Sequence, residues 1–328
     1  MAMQLRVLTA DDVSAALPMA DAIAAVRGAF GQLAAGQASV PLRTQLPGEG
    51  GTALMMPAYL PADRGLGAKI VSVFPNNPAR GLPTVTALVV LLEADTGRPL
   101  ALLDGTRLTA LRTGAASGLA TDLLAAPGAD TLALFGAGAQ ARTQLLAICT
   151  VRRIRTVWVY DAAPGRAQEL ITELAGRHPI PADLRAASTA ADAARSASIL
   201  ATATTSLAPV FADTEVLPGA HINAIGAFTP QMQEVPPETV GRARVFVDQV
   251  GPAMAEAGDL IRAHREGLLD PAQLVEIGAV VLGQAAGRQS QAQVTLFKSV
   301  GVAVQDIAAA TRALRSAEEQ GLGSVVTL

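Results

Sequence analysis

Two basic residues stand where an unpaired charge would be costly. Lys69 lies in the segment GAKIVSVF, and the two-residue period of a strand puts it on one face with Val71 and Val73, where an ammonium needs an anionic partner. Arg112 lies in TRLTALRTGAASGLATDLL, and helical spacing aligns it with Leu108, Ala115, Ala116, Leu119 and Leu123 on the inward stripe. A buried guanidinium also requires an anion. Such a pair suits a carboxylate ligand. Burial lowers the pKa of a lysine and a bound carboxylate raises it, so Lys69 could also give up a proton near neutral pH. Arg43, in VPLRTQLP, falls with Ser39, Pro41 and Gln45 on the more polar face of an extended run; by pattern alone it reads equally well as a solvent-facing arginine.

A second signal is phosphate chemistry. The strand-like TLALFG runs directly into Gly136-Ala137-Gly138-Ala139-Gln140-Ala141 and then into a helix-like AQARTQLLAICT, the context a dinucleotide-binding turn requires. Gly136 permits the tight turn, Gly138 lets backbone amides approach a pyrophosphate, and Ala141 allows close packing of helix on strand, with the positive helix end facing the phosphates. Asp161 closes the next strand twenty residues after Ala141, placed to accept both ribose hydroxyls of an adenosine. It favours NAD(H), because a carboxylate repels a 2′-phosphate. Arg166 offers an opposing charge five residues on, so NADP(H) stays open.

The elements that must hold these residues follow from the rhythm of the chain. From Ala129 onward, short apolar runs at 131–136, 156–161, 198–205, 221–228 and 243–249 alternate with helical stretches, the pattern of a doubly wound parallel α/β sheet. The first 110 residues instead carry extended segments and a hairpin turned at Asp95-Thr96-Gly97, as expected of a separate α+β domain. After Thr295, FKSVGVAVQDIAAATRALRSAEEQ reads as one long amphipathic helix able to return to the first domain. The expected division is 1–118 with 302–328 for substrate binding and dimerisation, and 119–301 for the dinucleotide.

Composition excludes several functions. Net charge is −3, with one Trp, two Tyr and seven Phe and no basic run, which leaves little to bind nucleic acid or an anionic membrane surface. The longest wholly apolar stretch, Ala87 to Leu92, is far below the ~18–20 residues of a membrane span. No secretory signal opens the chain, and a cytoplasmic location is expected. Only 16% of residues are charged against about 25% in an average soluble protein, so subunit contacts should hide surface. Cys149, the single cysteine, lies in an apolar helix-like run and reads as a buried thiol. His178, His221 and His264 are evenly spaced, but their flanks share nothing and no zinc signature follows, so no metal is expected.

The ordered motifs LMMPAYLP, GAKIVSVFPNN, GRPLALLDGTRLTALRTGAASGLAT, FGAGAQA, INAIGAFTP, EAGDL and LFKSVGVAVQD resemble the ornithine cyclodeaminase/mu-crystallin family over essentially the whole chain. The resemblance implies a homodimer in which a Rossmann domain is flanked by a substrate domain built from both chain ends, with hydride transfer between NAD(P) and C2 of an amino or imino acid. By resemblance, Arg43, Lys69 and Arg112 form the substrate-carboxylate cluster. Thr84, Arg112, Ala139, Gln140, Asp161, Thr202 and the stretch Asn223, Ala224, Ile225, Gly226 contact the cofactor, while Ser299 and Val300 belong to a late loop closing over nicotinamide and substrate.

One departure selects among activities. Where ornithine cyclodeaminases carry an aspartate for the substrate amine, this chain has Phe228 in GAFTP, and Glu234 is six residues away. Reduction of a cyclic ketimine needs only a held carboxylate, a hydride and a proton, and an uncharged ring suits an apolar Phe228 wall. GAFTP also resembles the Δ1-pyrroline-2-carboxylate reductase branch. The expected reaction is therefore Δ1-pyrroline-2-carboxylate to L-proline, within proline metabolism, with Δ1-piperideine-2-carboxylate to L-pipecolate as a second ring size. The alternatives are an ornithine or lysine cyclodeaminase, an alanine dehydrogenase, or a low-turnover dinucleotide-dependent binding protein such as mu-crystallin.

Overall fold

Runs rich in branched and apolar residues, broken by Gly, Pro and Asp, form two sheets in the computed structural model, which describes residues 3–327. In chain order the strands are β1 (Gln4–Leu8), β2 (Thr44–Gly48), β3 (Gly51–Leu60), β4 (Gly65–Val73), β5 (Val85–Leu92), β6 (Pro99–Asp104), β7 (Thr131–Phe135) and β8 (Thr156–Tyr160). They continue with β9 (Leu184–Ala186), β10 (Ile199–Thr202), β11 (His221–Ala224), β12 (Arg244–Val247), β13 (Val275–Glu276), β14 (Thr295–Lys298) and β15 (Ser324–Thr327). The chain forms two compact units, one ending at Arg112 and resuming at Val302, the other Thr113–Gly301. The first division lies inside the helix Gly105–Leu124, earlier than the 118/119 boundary expected from sequence. Helical periodicity continues unbroken through both positions and so carries no mark of a boundary.

The first unit holds a mixed sheet in the order β15-β1-β6-β5-β4-β3-β2, in which only β1 and β6 pair in parallel. β5 and β6 are joined by the expected hairpin: the Glu93 N–H donates to Arg98 O, and Gly97 takes φ +72°, the left-handed region that glycine enters without strain. Alternation assigns the faces. Met56, Lys69, Val89 and Leu103 stand in one cross-strand row, and all four are buried. The row Met55, Ile70 and Leu88 belongs to the opposite face and is 43%, 52% and 51% exposed. The helix Ala303–Gln320 packs against β3, β4 and β5 and against the helix Met19–Ala34. Its buried alanines at 303, 308, 309, 310, 313 and 317 allow that close approach.

The second unit is an all-parallel sheet in the order β13-β12-β14-β11-β10-β7-β8-β9. The run β9-β8-β7-β10-β11 is the doubly wound order, with the topological switch beside β7. Strands covered on both sides read as continuous apolar segments, and separate hydrophobic clusters fill the two faces. One expectation fails here. The residues Thr295–Lys298 are a central strand, and the helix begins only at Ala303. A four-residue buried run has no period that separates strand from helix, so its pairing with β11 and β12 decides. No single helix among the described residues is long and apolar enough to cross a membrane.

Candidate functional site

In the first unit the strand β4 delivers Lys69 to the covered face of the sheet, where it is 1% exposed. The anion it requires is already present. Asp306, in the first turn of the helix Ala303–Gln320, sets Oδ1 at 2.8 Å and Oδ2 at 2.7 Å from Lys69 Nζ. Arg112 reaches the same carboxylate, with Nε donating to Asp306 Oδ1 at 2.9 Å and Nη1 donating to Gln305 Oε1 at 2.7 Å. The Val302 N–H also donates to Gln305 Oε1, at 3.1 Å, which fixes that side chain across the start of the helix. Burial pulls the Lys69 ammonium down to about 8; Asp306 acts against that shift, and Arg112 and Arg43 add to it. Arg43 therefore belongs to the same electrostatic group as Lys69 and Arg112. This array can bind an anion and release a proton near neutral pH.

In the second unit, the turn after β7 has the geometry a pyrophosphate needs. Gly136 takes φ +93°, and a Cβ there would lie 2.6 Å from Ala203 O, so only glycine fits. At Gly138 a Cβ would meet no heavy atom within 4 Å, leaving room beside the backbone. The helix Ala139–Val151 begins there with no side-chain cap, so its first N–H groups are available to a phosphate. Ala141, in the first turn of that helix, is fully buried. Asp161, just past β8, accepts the Ala137 N–H at 2.7 Å and the Ala163 N–H at 2.9 Å. Its carboxylate thus braces the glycine turn from the end of the neighbouring strand.

Two buried carboxylates fix the loops at the carboxyl ends of the neighbouring strands. Glu234 accepts five hydrogen bonds: from Thr202 Oγ1 at 2.9 Å, Thr204 N–H at 2.7 Å, Thr204 Oγ1 at 2.8 Å, Gly226 N–H at 2.7 Å and Ala227 N–H at 3.0 Å. A Cβ at Gly226 would lie 2.2 Å from Thr204 O and 2.4 Å from Glu234 Oε1, so glycine lets the two loops meet. Burial pushes the Glu234 carboxyl above its ordinary value, with Lys298 opposing. Asp259 joins the same network. It accepts the N–H groups of Glu234 and Val235 at 2.7 and 2.9 Å and pairs with Lys298 at 2.9 Å. Asp248, past β12, accepts Ser299 Oγ at 2.9 Å, the Val300 N–H at 3.0 Å and the Gly301 N–H at 2.6 Å.

Several residues assigned to the cofactor by resemblance therefore have side chains committed within the protein. Thr202 bonds Glu234, Ser299 bonds Asp248, and Asn223 donates through Nδ2 to Thr121 Oγ1 at 2.9 Å. The Asn223 Oδ1 and the Gln140 Oε1 are buried without a hydrogen-bond partner among the described residues. Ala224 and Ile225 are buried, and Val300 is half-buried. Phe228 is 37% exposed although it is a large apolar ring, and Ala139 lies at the helix start. Thr84 belongs to the first unit with Arg43, Lys69 and Arg112, where its carbonyl accepts the Phe74 N–H at 2.8 Å. Cys149 is buried, which pushes its thiol up to about 12 and leaves it inert.

Sequence reasoning missed Gln305, Asp306, Asp248, Asp259 and Lys298, and treated Glu234 only as a residue too far along the chain to matter. One signal was available for Asp306. It lies among Val302, Ile307, Ala310 and Leu314 on the apolar stripe of its helix, so an ionised side chain there calls for a buried cation.

The family model for the ornithine cyclodeaminase/mu-crystallin family matches residues 3–321. A Δ1-pyrroline-2-carboxylate reductase of Bacillus cereus (strain ZK / E33L) is 38% identical over 321 residues, covering 97% of this chain and 98% of that protein. Among solved structures, the Δ1-pyrroline-2-carboxylate reductase of Thermococcus litoralis in complex with NADH and L-proline aligns with TM-score 0.94 and 38% identity, over 98% of this chain and 99% of that one. An archaeal alanine dehydrogenase dimer with bound NAD aligns with TM-score 0.92 and 36% identity, over 99% of both chains.

Proposed function

The chain belongs to the ornithine cyclodeaminase/mu-crystallin family, and from that membership we infer that it is an NAD(P)H-dependent oxidoreductase that reduces Δ1-pyrroline-2-carboxylate to L-proline. The observation that favours reduction over cyclodeamination is the state of Glu234. It is the carboxylate nearest in sequence to Phe228, and it is fully buried and already accepts five hydrogen bonds. It has no free valence for a migrating amine, whereas ketimine reduction requires none.

We assign the substrate carboxylate to Lys69, Arg112 and Arg43: Lys69 and Arg112 share one protein carboxylate, Asp306, so that pair keeps a net positive charge which a second anion neutralises. NADH, when bound, supplies the hydride that adds to C2. Lys69 Nζ gives the ring nitrogen its proton and recovers one from solvent, so the C=N bond gains one hydride and one proton to yield the amine. The glycine turn with the helix Ala139–Val151 holds the pyrophosphate, and Glu234 and Asp248 keep the loops around Gly226 and Val300 in a single arrangement.

The deciding assay follows NADH oxidation with Δ1-pyrroline-2-carboxylate and Δ1-piperideine-2-carboxylate, and NAD reduction and ammonia release with alanine, ornithine and lysine. Turnover of a cyclic ketimine at the highest kcat/KM is expected. Ammonia release from ornithine exceeding that turnover would overturn the reading.

Cofactor choice follows from Asp161, the acidic group at the end of β8. NADH should be used well, and Asp161→Ser should move the ratio of kcat/KM values toward NADPH by roughly tenfold or more. A wild-type enzyme at least about tenfold better with NADPH would sink this assignment. The enzyme works as a homodimer in the cytoplasm. The row Met55, Ile70 and Leu88 forms an exposed apolar face of the kind a partner subunit covers, and the archaeal alanine dehydrogenase is a dimer. Light scattering should give the mass of two chains for the wild type and of one for Ile70→Glu; two monomeric proteins would refute the dimer.

A further inference from the structure

We propose that Asp306 is the positioning residue of the substrate-carboxylate site, holding the Lys69 ammonium and the Arg112 guanidinium in one array and keeping Lys69 protonated at the pH of the reaction. The proposal deepens the reading of Lys69 as proton donor and rests on it. The geometry carries it. A single carboxylate, fully buried, contacts Lys69 Nζ through both oxygens at 2.7 and 2.8 Å and Arg112 Nε through Oδ1 at 2.9 Å. Asp306 is fixed in turn by its place in the first turn of an 18-residue helix, where the N–H groups favour a negative charge.

The surroundings leave Asp306 as the one anion of the group among the described residues. Strands β3 and β5, on either side of Lys69, present Met56 and Val89, which carry no charge. The helix Gly105–Leu124 presents Arg112, and the segment before β2 presents Arg43, both of which disfavour the protonated lysine. Burial disfavours it further, and Asp306 alone works the other way. Without that carboxylate, Lys69 would be a buried amine beside two guanidinium groups and would lose its proton at lower pH. It could then neither hold a carboxylate nor protonate a ring nitrogen. With it, Lys69 and Arg112 together exceed the charge of Asp306 by one, which one substrate carboxylate neutralises. The site thereby selects an anion while keeping its acid charged.

The composition of the chain makes this directly measurable. It contains two lysines, Lys69 and Lys298, and each is paired with a buried aspartate. Protein labelled with 13C at lysine Cε therefore gives two side-chain signals, assigned by loss of one in Lys69→Met. In the wild type the Lys69 signal should titrate near pH 8. In Asp306→Asn it should titrate at least about one pH unit lower, with Lys298 unchanged as the internal reference. The alkaline limb of kcat/KM should move down with it, and KM for the ketimine should rise. Substrate ionisation is common to both proteins and cancels in the comparison.

A Lys69 midpoint and an alkaline limb within about 0.3 units of wild type in folded Asp306→Asn would overturn the proposal, since a merely structural role moves neither. If that variant does not fold, Asp306→Glu carries the test: the charge is kept, so the midpoint should hold while KM rises, and a fall of a unit or more refutes it. If Lys69→Met keeps the alkaline limb, the proton-donor reading fails, and the lysine signal in Asp306→Asn still judges Asp306 by itself.

Discussion

Lys69→Met should lower kcat by about 10²- to 10⁴-fold, the range expected for loss of a general acid, while NADH binding measured by fluorescence titration stays at the wild-type level. Methionine fits the apolar row of Met56, Val89 and Leu103, and Asp306 retains Arg112 as a partner, so the fold should survive. The pH profile gives the sharper reading. With the Lys69 ammonium at about 8, the acid is available below that pH and is lost above it, so kcat/KM in the wild type should fall on the alkaline side of about pH 8. That limb should vanish in Lys69→Met. If KM rose while kcat and the shape of the profile stayed at wild type, Lys69 would be a carboxylate anchor and the proton would come from another source.

Arg112→Ala should reduce kcat/KM by at least ~10²-fold, because a misplacement of the ring by about 1 Å is enough to cost that much. Its Nε and Nη1 are held on Asp306 and Gln305, which orients the planar group and leaves Nη2 without a hydrogen bond to any described residue, ready for a substrate oxygen. Arg112→Lys should recover little of the loss. An ammonium has no fork and could not keep both Asp306 and Gln305 while reaching a substrate. Because Asp306 would still hold Lys69, melting temperatures within a few degrees of wild type are expected alongside the kinetic defect. A loss of less than about tenfold in Arg112→Ala would show that the guanidinium serves Asp306 alone.

The two substitutions also separate what the buried charges are for. Burial in a strand face and in a helix stripe implied an anion for each cation, and the structure supplies one from the chain itself. Buried cations do not by themselves demand a ligand. The case for a substrate carboxylate rests instead on charge balance: Lys69 and Arg112 share the single carboxylate of Asp306, which leaves the pair with a net positive charge.

Local sequence by itself determined a good deal. Alternation in GAKIVSVF placed Lys69 on the covered face, because a strand sends successive side chains to opposite sides whatever lies there. The strand, glycine turn, helix and strand-end Asp161 that read as a dinucleotide site lie within about thirty residues, so a short window contained that whole signal. The hairpin at Gly97 was legible for the same reason. Tertiary structure decided what faces each buried group. Asp306 is 237 residues from Lys69 and 194 from Arg112, and Glu234 gathers the loops at Thr204 and Gly226 from 30 and 8 residues away. Thr295–Lys298 became a strand through pairing with β11 and β12 rather than through its own composition. Periodicity states which side of an element leaves water, since that depends on the element's own geometry; which partner it meets there depends on how distant segments pack, and no local pattern encodes that.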